Sequence, residues 1–157
     1  MGLRIREILI AIPNNRTKFS LHFRFLQALQ GEHSFPLPDM ILKVENIVYN
    51  ELLIRGYNVD VGIVEMYAKN DEGKTTRKQF EVDFVVNQGS QRYYIQVAYD
   101  MTSEEKQKQE FNSFRNIPDS FKKIVVVNGT KKPWRNEEGF VIMGMKYFLL
   151  NADSLEL

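Results

Sequence analysis

The sequence predicts an α/β domain in which a central mixed β-sheet is flanked by helices. One observation is the order of the patterns: from residue 39, helical spacing of apolar residues gives way to three alternating segments and then returns. A second is the run KKIVVVNGT, which is short, apolar and β-branched, as is typical of a strand buried on both faces. At 157 residues the chain has the length of one such domain.

The first helix is predicted over DMILKVENIVYNELLIRGY. Asp39 is a suitable N-cap, and Gly56, preceded by the basic Arg55, is a suitable residue in the C′ position after the helix. The apolar stripe consists of Ile41, Val44, Val48 and Leu52. Glu45 lies on the edge of this stripe, so its carboxylate must be paired, protonated or directed into a cleft.

Three strands are predicted next, over NVDVGIVEMY, FEVDFVV and RYYIQVAY. The polar connection AKNDEGKTTRKQ precedes the second strand, and the turn NQGSQ precedes the third. Alternation places Val82, Phe84 and Val86 on one face and Glu81, Asp83 and Val85 on the other. In the third strand it places Tyr93, Ile95, Val97 and Tyr99 opposite Arg92, Tyr94, Gln96 and Ala98. If the last two strands form a hairpin, Asp83 and Gln96 lie near one another, and Glu45 can approach the same place.

The C-terminal part is predicted to add two helices and two strands. TSEEKQKQEFNSFRNI is a helix capped by Thr102 or Ser103, and KKIVVVNGT is a buried strand. GFVIMG is a weak strand, and MKYFLLNADSL is a short final helix. Residues 39–157 are therefore expected to form the domain. Residues 1–38 are expected to be an accessory segment or linker, in which FSLHFRFLQALQG is a short helix closed by Gly31.

Composition excludes several classes of function. The formal net charge of +1 indicates no global preference for nucleic acid or membranes, so such binding would need a local patch. The absence of cysteine excludes disulfides, thiol catalysis and cysteine-bound zinc, and no stretch has the length of a membrane span. A cytoplasmic location without a membrane partner is expected. His22 and His33 have no spacing typical of metal ligands, and GKT at residues 73–75 lacks the first glycine of a phosphate-binding loop.

The strands with Asp83 and Gln96 carry an incomplete nuclease motif. In PD-(D/E)XK nucleases, an acid on one strand is followed on the next by Glu or Gln and, two residues later, by Lys. Hard oxygen ligands hold Mg²⁺, which polarises the phosphate and its water, and the lysine steadies the nucleophile. Here Ala98 occupies the position of the lysine.

Four longer blocks carry a wider resemblance: ENIVYNELLIRGYNVDVG, EVDFVV, YYIQVAYDMTSEEKQKQEFNSF and YFLLN. Together they resemble the C-terminal domain of unknown function found on bacterial and archaeal AAA-type ATPases, which is grouped with the restriction-endonuclease-like fold. The resemblance runs from about Glu45 to the C-terminus. It implies that Glu45, Asp83 and Gln96 fill the catalytic positions, and that Asp83 and Glu45 would hold Mg²⁺ in an active member.

Because Ala98 replaces the lysine, we expect a degenerate, non-cleaving domain that recognises nucleic acid or a partner, with a AAA-type ATPase region in cis or in trans. One alternative is an active Mg²⁺-dependent nuclease in which Lys106 or Lys108 supplies the cation. A second is a structural or oligomerisation module. Tyr94, Trp134 and Lys106 are candidate binding residues.

Asp83 and Gln96 also have a purely structural interpretation. Asp83 would accept hydrogen bonds from backbone donors or pair with Arg92 across the hairpin. Gln96 would satisfy its amide against a neighbouring strand or helix. The substrate, the partner and the oligomeric state are not determined by the sequence.

Overall fold

A computed structural model describes residues 4–11, 37–69 and 74–157, and within them it shows a seven-stranded mixed sheet with three helices. The strands are β1 (Arg4–Ala11), β2 (Asn58–Lys69), β3 (Thr75–Gln88), β4 (Gln91–Ala98), β5 (Lys122–Val127), β6 (Trp134–Arg135) and β7 (Val141–Gly144). The helices are α1 (Leu37–Ile54), α2 (Glu104–Arg115) and α3 (Met145–Leu150). The predicted mixed α/β class is confirmed.

The strand order is β1-β2-β3-β4-β5-β7-β6. Strands β1 to β4 pair antiparallel in sequence, whereas β4, β5 and β7 are mutually parallel. Parallel neighbours need a crossover, and α2 provides it between β4 and β5. The carboxyl ends of β4 and β5 therefore meet at one edge of the sheet, and their amino ends meet at the opposite edge.

Each face of the sheet buries its own apolar cluster. The first cluster lies between the sheet and helices α1 and α3, and it includes Val48, Leu52, Phe84, Tyr93, Ile95, Val97 and Phe148. The second lies under α2 and includes Val82, Val85, Tyr94, Ala98, Phe111 and Phe114. The two clusters confirm the predicted faces of β4, because Tyr93, Ile95 and Val97 lie opposite Tyr94 and Ala98.

Strand β3 departs from the predicted alternation at Asp83. Val82 packs with Val85 in the second cluster, whereas Phe84 lies in the first, so the expectation that Val82 shares a face with Phe84 is wrong. The register explains why: Asp60 pairs with Val85 and Gly62 pairs with Val82, which leaves one extra residue in β3. A bulge of this kind reverses the alternation locally.

The C-terminus of α1 is closed as its sequence predicts. Gly56 has a φ of 82°, and its N–H donates to the carbonyl of Leu53 at 3.0 Å. The N–H of Tyr57 donates to the carbonyl of Leu52 at 3.1 Å. This pair of bonds is a Schellman motif, which favours glycine because the C′ residue is left-handed. At the other end, the helix begins at Leu37, so Asp39 lies inside it rather than capping it.

Other boundaries also differ from the expectations. Residues 4–11, assigned to an accessory segment, form a strand paired with β2 at the edge of the sheet. Strands β2 and β3 extend into the segment expected to be a polar connection, because their cross-strand pairs continue to Lys69 and Thr75. The expected helix before Gly31, as well as His22 and His33, lie outside the described residues. None of the described helices combines the length and apolar character of a membrane span.

Candidate functional site

The candidate site lies where β3 and β4 separate. Their pairing runs from Gln88 and Gln91 to Phe84 and Ile95. Beyond that pair β3 stays paired with β2, while β4 stays paired with β5 as far as Ala98. Asp83 and Gln96, the next residues on the two strands, stand at this opening. We call the group of Glu45, Glu81, Asp83, Gln96 and Glu110 the acidic fork.

Asp83 and Gln96 are bonded to each other across the opening. The N–H of Val97 donates to Oδ2 of Asp83 at 2.7 Å, and Nε2 of Gln96 donates to Oδ1 at 3.3 Å. The N–H of Asp83 donates to Oε1 of Gln96 at 3.4 Å. The carboxylate of Asp83 thus accepts a β4 backbone N–H at the point where the β3–β4 pairing stops.

These contacts agree with the structural interpretation of Asp83, in which its carboxylate accepts a hydrogen bond from a backbone N–H. The alternative partner, Arg92, is bonded elsewhere: its Nε donates to Oδ1 of Asn87 at 2.9 Å. Its guanidinium carbon lies 5.7 Å from the ring centre of Phe121.

Carboxylates from two helices join the fork. Burial, together with the smaller effects of the charges of Glu81 and Glu110, raises the pKa of Glu45 on α1 to about 7. Burial also raises the pKa of Asp83 well above its usual range; the bond from Val97 opposes this, and the charges of Glu45, Glu110 and Glu81 add to it. The structure therefore brings Glu45 within electrostatic reach of Asp83. The charges that shift both of these acids are negative.

The amide of Gln96 lies between two of these acids. It donates to Asp83, and its hydrogen bond with Glu110 lowers the pKa of Glu110, against the larger effect of burial, which raises it. An amide at this position supplies donors to carboxylates on β3 and α2. A glutamate there would instead add a further negative charge, which explains why glutamine suits the position.

Ala98, in the position that a nuclease lysine would occupy, is closed off by packing. It is 2% exposed and lies in the second apolar cluster with Phe111. A lysine in its place would lose the solvation of its ammonium group, at a large cost in free energy, unless the side chain reached out of this cluster.

The arrangement does not fit a bound Mg²⁺ ion. Both oxygens of Asp83 already accept hydrogen bonds, and no three acidic or histidine side chains in the described parts of the chain are placed to hold a metal ion. Mg²⁺ demands near-octahedral oxygen coordination, which the fork does not offer in this form. We therefore derive no chemical step through a metal.

Tyr94 does not offer a binding surface. It was a candidate binding residue, and the structure places it fully buried in the second cluster. Its hydroxyl donates to Oδ2 of Asp119 at 2.6 Å, and Nζ of Lys123 lies 5.8 Å from its ring centre. Tyr94 is buried because it points to the face of β4 that α2 covers, while its neighbours Tyr93 and Ile95 pack under α1 on the other face.

Trp134 and Lys106 are accessible. Trp134 is 42% exposed and belongs to the short strand β6, where a loop was expected. It lines a pocket of about 230 Å³ together with Asp100, and Nζ of Lys131 lies 5.7 Å from its ring centre. Nζ of Lys106 binds Oδ2 of Asp100 at 2.7 Å, so its charge is directed to that acid.

Lys108, the other lysine considered as a substitute cation, faces Glu104 at 3.8 Å in an exposed pair on α2. This exposed ion pair agrees with the polar outer face of α2. Its N-cap is Ser103, whose side chain accepts from the N–H of Lys106 at 3.3 Å.

Sequence reasoning missed Glu110 as a member of the fork and assigned no role to Glu81. A signal for Glu110 was present: it precedes Phe111 and lies one helical turn before Phe114, both buried. An acid beside the apolar stripe of a helix was the argument applied to Glu45, and it applies equally to Glu110.

The fold and this site define the class of the protein: a mixed α/β domain with a partly buried acid–amide pair where two central strands diverge. The chain belongs to the family described as a domain of unknown function, DUF4143, whose match covers residues 43–148. An uncharacterized protein of Haemophilus influenzae is 32% identical over 84 residues, which make up 54% of this chain and 17% of that protein. The chain thus spans less than a fifth of that relative's length. No solved structure matches the chain.

Proposed function

We propose that this domain is a nuclease-like scaffold that no longer cleaves phosphodiesters and that acts as a recognition module associated with a AAA-type ATPase. The observation that carries the proposal is the combination of a strand acid, a next-strand amide and a helix acid with a buried alanine. Asp83, Gln96 and Glu45 supply the first three, and Ala98 is the fourth. This combination is the pattern of the PD-(D/E)XK, restriction-endonuclease-like scaffold without its cation.

The electrostatics of the fork argue against cleavage. Phosphodiester hydrolysis adds negative charge in the transition state, and loss of one preorganised group that stabilises such charge lowers the rate roughly 10²–10³-fold. Here the position of that group is apolar, and burial, with the charges of Glu81 and Glu110 adding to it, raises the pKa of Glu45 to about 7. A phosphate placed beside these acids would meet charge of its own sign.

The same acidity favours one kind of partner at the fork. A protein segment that carries basic side chains complements Glu45, Glu81 and Glu110, whereas the nucleic-acid backbone does not. Recognition of nucleic acid, the other partner class expected from the sequence, would need a surface away from the fork.

The link to a AAA-type ATPase is supported by the resemblance of the four sequence blocks. The length of the Haemophilus influenzae relative is compatible with it, because the matched segment is 17% of that protein and accompanies a much longer chain. In the proposal the ATPase region lies either in the same polypeptide or on a separate chain, and the domain acts in the cytoplasm.

A cleavage assay tests the proposal. Supercoiled plasmid, single-stranded DNA and RNA are incubated with the wild-type chain in Mg²⁺ or Mn²⁺, beside the variants Asp83→Asn and Asp153→Asn. We expect no cleavage by any of the three proteins. Robust cleavage by the wild type and by Asp153→Asn, which alters an exposed acid, but not by Asp83→Asn would overturn the proposal and establish the active nuclease.

A binding assay separates the two classes of partner. Binding of duplex and single-stranded DNA is measured across a range of salt concentrations, because phosphate contacts make affinity fall steeply with salt. Absent or salt-insensitive binding indicates a protein partner. Salt-sensitive binding that is unchanged in Glu45→Gln would place nucleic acid on a surface other than the fork.

A further inference from the structure

A second cavity lies at the opposite edge of the sheet, beside the amino ends of β4 and β5. Its volume is about 570 Å³, within the range of roughly 300–1,000 Å³ that is usual for small-molecule sites. The walls come from the β3–β4 turn, the loop before β5, the β6–β7 connection and the C-terminal segment. We call it the basic cleft and define it by Arg92, Phe121, Lys122, Lys123 and Arg135.

Cations outnumber acids in the lining of the cleft. Four lining residues are basic, and the acids among them are Glu138 and Glu156. Glu138 is already neutralised by Arg115, which lies outside the cleft: Nε and Nη2 of Arg115 donate to its two oxygens at 2.7 Å and 2.6 Å. Glu156 accepts a hydrogen bond from the hydroxyl of Tyr93 at 2.5 Å.

The cations of the cleft are oriented mainly by backbone oxygens. Nζ of Lys122 donates to the carbonyl of Leu155 at 2.7 Å, and Nη2 of Arg135 donates to a backbone oxygen of Leu157 at 2.9 Å. The carbonyl of Leu155 fixes the direction of the Lys122 ammonium group but leaves its charge in place. Burial lowers the pKa of Lys122, Glu156 opposes this, and the charge of Arg135 lowers it further, so the two cations lie close enough to repel one another.

Lys123 differs from Lys122 because its ammonium group lies within ion-pair distance of an acid. Its Nζ donates to the carbonyl of Asp119 at 2.7 Å and lies 4.0 Å from Oδ1 of the same residue. It therefore contributes less free charge to the cleft than Lys122.

An exposed aromatic ring accompanies the cations. Phe121 is 42% exposed, and the guanidinium carbon of Arg92 lies 5.7 Å from its ring centre. An aromatic platform beside cations is the combination that binds nucleotides, since the ring stacks on the base and the cations hold the phosphate. Base–aromatic stacking contributes about 1–3 kcal/mol per base.

We propose that the basic cleft binds a nucleotide unit, with its phosphate between Lys122 and Arg135 and its base stacked on Phe121. The unit comes either from a free nucleotide or from a single-stranded nucleic acid, which share this chemistry. The cleft is separate from the acidic fork: Arg92 and Gln96 are four residues apart on β4, a distance of roughly 13 Å at about 3.3 Å per residue. The proposal does not depend on nuclease ancestry.

The test measures binding of adenosine 5′-monophosphate, adenosine, inorganic phosphate and a short oligothymidylate by titration calorimetry. The variants are Arg135→Gln and Phe121→Leu, which retain side-chain bulk so that the cleft stays packed. The control is Lys108→Gln, which removes an exposed cation on α2. Thermal unfolding of each variant verifies that it folds.

We expect the monophosphate or the oligonucleotide to bind the wild type and Lys108→Gln equally, and to bind Arg135→Gln and Phe121→Leu about tenfold more weakly. Adenosine and inorganic phosphate should each bind more weakly than the ligand that unites them. Binding of the monophosphate alone identifies a free nucleotide, and tighter, salt-sensitive binding of the oligonucleotide identifies a single strand. The proposal is overturned if neither ligand binds, if folded variants bind like the wild type, or if inorganic phosphate binds as tightly as the monophosphate.

Discussion

The two ends of strand β4 carry opposite chemistry. At its carboxyl end, Asp83 accepts hydrogen bonds from Gln96 and Val97, and burial, with like charges adding to it, raises the pKa of Asp83. At its amino end, Lys122 and Arg135 donate hydrogen bonds to backbone oxygens of Leu155 and Leu157. The fork is made mainly of carboxylates, whereas most of the charged residues that line the cleft are basic. A chain with a formal net charge of +1 can therefore still separate charge strongly between two edges of one sheet.

Between the two ends of β4, the largest effect of a substitution on stability is expected at Asp83. Asp83→Ala removes the acceptor for the N–H of Val97, while Asp83→Asn retains a carbonyl oxygen there. Because a buried unpaired donor costs about 1–3 kcal/mol, we expect the alanine variant to be less stable than the asparagine variant by that amount. Urea unfolding of both variants measures the difference.

The comparison between these two variants cancels the loss of charge, which is the same in both. Equal urea midpoints at acidic and at mildly alkaline pH would show that the bond from Val97 contributes nothing.

The second effect concerns pH and Glu45. The folded pKa of this acid is raised to about 7 by burial and then by Glu81 and Glu110, so between about 4.5 and 7 the folded state binds more protons than the unfolded state. Stability should consequently fall as the pH rises through this window. Glu45→Gln should flatten the fall and, allowing for screening by solvent, add on the order of 1–2 kcal/mol at about pH 8.

Thermal unfolding across pH measures this effect, with the exposed acid variant Glu137→Gln as the matched control. At about pH 5 the Glu45→Gln and wild-type proteins should unfold alike, because Glu45 is protonated in the folded state. A Glu45→Gln protein that is less stable than the wild type at alkaline pH would mean that Glu45 is paired with a cation.

The smallest effect tests the cleft through a residue outside it. Arg115→Gln leaves the charge of Glu138 unpaired at the rim, so nucleotide binding should weaken by a few-fold while stability changes by only about 0.2–1 kcal/mol. The double variant Arg115→Gln/Glu138→Gln should recover the wild-type affinity. Weakening that persists in the double variant would contradict the assigned role of Glu138.

Local patterns in the sequence predict much of the fold. The stripe of α1 and its closing Gly56, the alternation of β4, and the β-branched run of β5 each act over a few residues, so short windows suffice to recognise them. Strand β1 was not recognised because its stability comes from pairing with β2, which is distant in sequence. The bulge in β3 was also missed, since it becomes apparent only in the register against β2.

The residue order alone was enough to predict the α/β order of elements and the presence of an acid, an amide and an alanine on adjacent strands. The contacts of these groups became known only from the folded structure. The bond from Val97 to Asp83, the arrival of Glu110 from α2 and the burial of Ala98 depend on contacts between separate elements. The basic cleft likewise assembles from four segments far apart in the chain. Electrostatic interactions and packing depend on the distances between side chains, and the order of residues along the chain does not reveal which side chains lie close together.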